Sequence, residues 1–82
     1  MMQVRVKLFA MAKELAGMSE GSLSLAPGAS AGDAIDALLE NHPGLKDWKP
    51  YLRVAVNCMY VPPGFVLHED DEVAVIPPVS GG

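Results

Sequence analysis

Only one stretch of this sequence repeats its apolar residues at helical spacing for more than two turns, and it leaves the rest of the chain to short pieces. It covers residues 30–42, where Ala31, Ile35, Leu38, Leu39 and His42 form one stripe with Asp36 and Glu40 opposite. Ser30 is a good N-cap, because its hydroxyl accepts from an otherwise unpaired amide of the first turn. Asp33 stands where a capping box places Glu or Gln. Pro43-Gly44 ends the helix. Elsewhere the apolar residues alternate. Over residues 3–9, Val4, Val6 and Leu8 point one way, and Gln3, Arg5, Lys7 and Phe9 the other. That is the period of a half-buried strand, with Phe9 an apolar exception on its polar face.

The same reading predicts strands over residues 21–26, 52–57, 59–61 and 72–76, and a short helix over 11–16 stopped by Gly17. Residues 45–50 are expected to be irregular, with Leu45 and Trp48 covering one end of the core. Pro27-Gly28 and the acidic run Glu69-Asp70-Asp71 read as turns. The order β, short α, β, α, β, β, β predicts an α+β fold: a mixed sheet with one main helix packed on one face. At 82 residues there is room for one domain. A hydrophobic fraction of 50% against 20% charged excludes disorder as the main state. The expected core is Val4, Val6, Ile35, Leu38, Val54, Val56, Val73 and Val75.

Net charge is −4, from 6 basic and 10 acidic residues. No basic patch marks a nucleic-acid binder, and an acidic chain suits a partner with a positive surface. No apolar run approaches the roughly 18 residues of a membrane span. The N-terminus alternates where a signal peptide would be continuously apolar, so a cytoplasmic protein with no membrane partner is expected.

The C-terminus reads Pro77-Pro78-Val79-Ser80-Gly81-Gly82. Two prolines end a strand and stiffen its exit. Two glycines let the last residues thread a channel where a Cβ would clash. The expected division is a folded domain over 1–77 and a flexible tail over 78–82, reaching roughly 15–18 Å at about 3.3–3.6 Å per residue. The Gly82 carboxylate is a poor electrophile. To do covalent work it must first be activated, most plausibly as an acyl-adenylate.

In Leu8-Phe9-Ala10, Lys13-Glu14-Leu15-Ala16-Gly17, Ala55-Val56-Asn57, the run from Leu67 to Ala74 and above all the Pro-Pro-Val-Ser-Gly-Gly ending, the chain resembles the small, sulfur-carrying subunit of molybdopterin synthase. The terminal Gly-Gly alone is weak evidence, since ubiquitin-like modifiers and the thiamine-pathway sulfur carrier share it. No diagnostic match falls in residues 44–50 or 62–64. The resemblance implies a ubiquitin-like β-grasp. It implies that an ATP-dependent, ubiquitin-activating-type enzyme adenylates the Gly82 carboxylate and that a sulfur donor converts it to a thiocarboxylate. The sulfur then passes to cyclic pyranopterin monophosphate in the large subunit, within a heterotetramer. Gly82 would carry the chemistry, and Gly81, Ser80, Val79 and Pro78 would thread it. The chain would bind no cofactor, ATP being used by the activating enzyme, and the catalytic residues would sit on its partners. A sulfur carrier for thiamine synthesis or tRNA thiolation, and a ubiquitin-like modifier, remain as alternatives.

Phe9 and Ile76 fall on the outward faces of their strands. Exposed apolar residues beside a functional tail predict a partner interface, which Tyr60 would join. Cys58, the lone cysteine, cannot form an internal disulfide; it reads as a small packing residue rather than a sulfur-relay thiol. His42 and His68 lack ligand spacing. The acidic cluster from Glu69 to Glu72 lacks a calcium loop's alternation and reads as a solvated turn. Lys13 and Arg53 read as surface charges.

Overall fold

The computed structural model describes residues 1–77, and the expected tail, 78–82, lies outside the described residues. Five strands form one mixed sheet. They are β1 (Met2–Leu8), β2 (Glu20–Leu25), β3 (Arg53–Val56), β4 (Met59–Tyr60) and β5 (Glu72–Ile76), in the order β2-β1-β5-β3-β4. β1 pairs antiparallel with β2 and parallel with β5, and β3 pairs antiparallel with β4 and β5. The two helices are α1 (Ala10–Ala16) and α2 (Ala31–Asn41).

α2 forms as its sequence dictates. The Ser30 side chain accepts from the Asp33 amide at 3.2 Å, and the Asp33 carboxylate accepts from the Ser30 amide at 2.9 Å. Two further amides of the first turn donate to the loop before β5: Ala31 to the Phe65 carbonyl and Gly32 to that of Pro63, both at 2.8 Å. The four amides that the helix start leaves unpaired, those of Ser30, Ala31, Gly32 and Asp33, are therefore all engaged, and the first regular helical bond runs from the Ala34 amide to the Ser30 carbonyl. The apolar stripe packs onto the sheet face carrying Val4, Val6, Val54, Val56, Val73 and Val75, and every expected core residue is buried.

Four features differ from expectation. Residues 45–50 are ordered as part of a 3-10 helix, Pro43–Tyr51, which seats Leu45 in the core with no exposure while Trp48 is half-buried against Tyr51. A proline at the start and another at position 50 hide the pattern, and the tight i, i+3 turns bury one residue rather than a stripe. Leu67 is buried although it lies in no strand or helix, because its amide bonds the Ala29 carbonyl at 2.9 Å alongside the start of α2. β1 ends at Leu8, and Phe9 is the extended N-cap of α1. Cys58 is exposed and packs no core. It forms with Asn57 the two-residue turn between β3 and β4, where both residues have positive φ, 50° and 71°. Such a turn matches the twist of a hairpin but suits Asn or Gly better than Cys.

Candidate functional site: the outer face of the sheet and the tail exit

Among the described residues, α2 packs on one face of the sheet, and the outward-pointing residues of the strands make up the other. Its residues follow from the pleat. One row across the strands reads Glu20, Lys7, Ala74, Ala55, Tyr60. The row nearer the end of β5 pairs Ile76 with Arg53. Phe9 and Ile76 each come one residue after the last parallel pair, Leu8 and Val75, and Phe9 keeps an extended backbone. Phe9 is 47% exposed and Tyr60 67%, while Ile76 is half-buried. On the strand between Ile76 and Tyr60, Arg53 pairs with Ile76 and Ala55 with Tyr60, and Ala55 in turn pairs with Ala74. Phe9 and Ile76, singled out from alternation, thus lie on one face with Tyr60, where the chain leaves β5 toward residue 78. The tail residues themselves, Pro78, Val79, Ser80, Gly81 and Gly82, lie outside the described residues.

The β1 side of this face is charged. Lys7 Nζ lies 3.4 Å from Glu72 Oε2, and Arg5 Nη1 lies 3.9 Å from the same oxygen. One carboxylate thus answers two cations. Arg53 is exposed and forms no ion pair among the described residues.

The far end of β5 is built differently. Asn57 Nδ2 donates to Asp71 Oδ1 at 2.9 Å, and the Glu72 amide donates to Asn57 Oδ1 at 3.0 Å. The His68 amide donates to Asp71 Oδ2 at 2.8 Å, and Glu69 accepts from the Gln3 amide. The acidic run is therefore a structural tie as well as a solvated turn. Desolvation pushes the Asp71 carboxyl up, but the hydrogen bonds from His68 and Asn57, with the charge of His68, outweigh it and hold it below the ordinary 3.8. A carboxyl depressed on folding stabilises the fold above its unfolded pKa, and that contribution disappears as pH falls through the folded value. Asp71→Asn should therefore lower the urea midpoint at neutral pH and flatten its dependence on pH below about 4. A variant whose pH profile parallels the parent's would show that the tie does not act through the charge.

Cys58 and His68 belong to this end, about 13 Å along β5 from the tail exit at the usual strand rise. Among the described residues no three His, Cys, Asp or Glu side chains converge as a metal site. His42 caps the end of α2. No helix among them is long and apolar enough to cross a membrane.

A family model matches residues 6–82, from the middle of β1 through the last residue, and its description is the ThiS family. The chain belongs to the ThiS family. This ThiS-family chain is 39% identical to the molybdopterin synthase sulfur carrier subunit of Chlamydomonas reinhardtii, over 99% of this chain and 100% of that one. It is 37% identical to the human protein of the same name, over 98% and 94%. Its fold superposes on the small archaeal modifier protein 1 of Haloferax volcanii with a TM-score of 0.87 and 33% identity, over 98% and 99% of the two chains. It also superposes, at 0.71 and 26% identity over 99% and 100%, on a chain in the complex of subunits 1 and 2 of the molybdopterin-converting factor of Helicobacter pylori. A ubiquitin of Caldiarchaeum subterraneum, 16% identical with a TM-score of 0.66 over 99% and 98%, shares the fold alone. The architecture is the ubiquitin-like β-grasp.

Proposed function

We propose that this chain is the sulfur carrier subunit of a molybdopterin synthase and acts through the carboxylate of Gly82. The observation that carries the reading is end-to-end similarity to sulfur carrier subunits, with a match that includes the Gly-Gly ending. In this reading an adenylating enzyme joins the Gly82 carboxylate to the α-phosphate of ATP and releases pyrophosphate. Sulfur released by a donor as hydrosulfide then attacks the acyl carbon, displaces AMP and leaves a thiocarboxylate with no change of oxidation state. Pro78, Val79, Ser80 and Gly81 carry that group into the large subunit, where its sulfur passes to the pterin precursor. The chain supplies the sulfur, and its partners supply the catalytic groups.

The test is intact-mass spectrometry after incubation with the adenylating enzyme, ATP and a sulfur donor. Replacement of one oxygen by sulfur is expected, followed by reversion when the large subunit and the pterin precursor are added. A protein that never gains sulfur overturns the reading. The likeness to an archaeal modifier favours a second use, isopeptide attachment through Gly82 to lysines. Gly-Gly remnants on lysines of other proteins would report it.

Phe9, Ile76 and Tyr60 form the apolar centre of the face that meets the large subunit in this reading. Phe9→Lys should weaken the complex by at least tenfold, as loss of a central aromatic anchor does. It should leave the melting temperature of the isolated chain nearly unchanged, because Phe9 is already half in water. An unaltered complex would place Phe9 outside the interface, and a collapsed monomer would make it a core residue.

A further inference from the structure

The whole chain is acidic, but its outer sheet face is not. Of 6 basic and 10 acidic residues, Arg5, Lys7 and Arg53 share this face with only Glu20 and Glu72. The rest of the chain therefore keeps three basic against eight acidic residues. Glu72 is already engaged by Lys7 and Arg5. Arg53, paired in register with Ile76, adds its charge beside the tail exit. Net charge alone points to a partner with a positive surface; the placement of the charges points the other way.

The tail fixes where that partner sits. Five residues beyond Pro77 reach at most about 18 Å, so a protein that receives Gly82 in its own active site must rest against the surface around the exit. On one side that surface is Phe9, Ile76 and Arg53, continuing into the row of Lys7 and Tyr60. Burying Arg53 against an apolar or basic partner would strand a cation away from water, a cost that an opposing carboxylate removes.

We propose that the large subunit that receives this chain presents an apolar centre to Phe9, Ile76 and Tyr60 and a flank of carboxylates to Arg53 and Lys7. The proposal rests on the sulfur-carrier reading and adds the chemistry of the partner's surface. Opposite charge at an interface speeds encounter and fixes register, and salt weakens it. The basic flank therefore acts as a specificity element. It selects the large subunit whose acidic flank matches it and repels one with a basic flank.

The experiment uses the full-length chain and its co-expressed large subunit, with association and dissociation followed by biolayer interferometry at low and high sodium chloride. Arg53→Glu is expected to slow association about tenfold or more at low salt, with a smaller change at high salt. Arg53→Gln should have an intermediate effect, and Lys46→Glu, away from this face, almost none. Arg53 is exposed at the start of its strand, so thermal melting of the isolated variants should match the parent and separates misfolding from lost attraction. Association that ignores both salt and Arg53→Glu, or that accelerates on charge reversal, overturns the proposal. If Phe9→Lys still breaks the complex in that case, the apolar interface stands and only the acidic flank fails. If neither variant matters, the interface reading itself fails. An effect seen with the adenylating enzyme but not with the large subunit also overturns the assignment.

Discussion

Deleting Gly82 should abolish sulfur transfer while leaving the fold intact. The shortened chain still ends in a glycine carboxylate, so its chemistry is preserved and only its reach is lost. That loss is about 3.5 Å, one residue of extended chain. Attack requires reacting atoms about 3–3.5 Å apart and aligned, so a carboxylate one residue short is out of range. The deletion lies outside residues 1–77, and none of the packing described there depends on it. Melting of the isolated chain should match the parent, and the large subunit should still bind through the outer face. No thiocarboxylate should appear by intact-mass spectrometry, and no pterin precursor should be converted. A residue appended after Gly82 should fail in the same assay, because it carries a different end group past the activating site. Normal molybdopterin formation by the truncated chain would overturn the proposed mechanism.

Leu38→Ala should cost about 2–5 kcal/mol of stability, the range for emptying a buried leucine site. Leu38 is 2% exposed and lies on the stripe of α2 against the sheet. The N-terminal end of that helix is held by the capping box and by the carbonyls of Pro63 and Phe65. It is therefore not free to sink into the space left behind, which argues for the upper part of the range. A chain of this size has only about 5–10 kcal/mol in total, so the variant should be partly unfolded near 37 °C. Urea unfolding followed by circular dichroism measures it, and a loss under 1 kcal/mol would mean that α2 faces the sheet with another stripe.

The placement of Leu38 was legible in the sequence for a local physical reason. The face of α2 is written in its own residues, since a helix stripe and a capping box are local patterns. The strands announce themselves by alternation, and so does the outward facing of Phe9 and Ile76; that of Tyr60 does not, because a strand of two residues has no period to read. The rows they form are another matter. That Ile76 lies against Arg53 depends on the antiparallel pairing of β5 with β3, and that Lys7 lies against Ala74 on its parallel pairing with β1, neither of which any local pattern records. Leu67 escaped for a related reason. It is buried by a single crossing of the loop over the start of α2, and one residue has no period. The turn at Cys58 carried a usable signal, because two residues between two strands imply a tight hairpin. A cysteine at the second position of such a turn is unusual enough to hide it. The balance of charge on the outer face was invisible to composition, which sums over all faces at once.

The central position of β5 has a consequence for biosynthesis. β5 follows the other four described strands in the chain, yet it lies between β1 and β3 and joins the two halves of the sheet. A nascent chain that ends before Glu72 has β1 and β3 with nothing between them, and the sheet cannot close until β5 has been made. Closure of the sheet is therefore a check on length: a prematurely terminated product lacks Ile76, cannot assemble the outer face and displays open strand edges to proteases and chaperones.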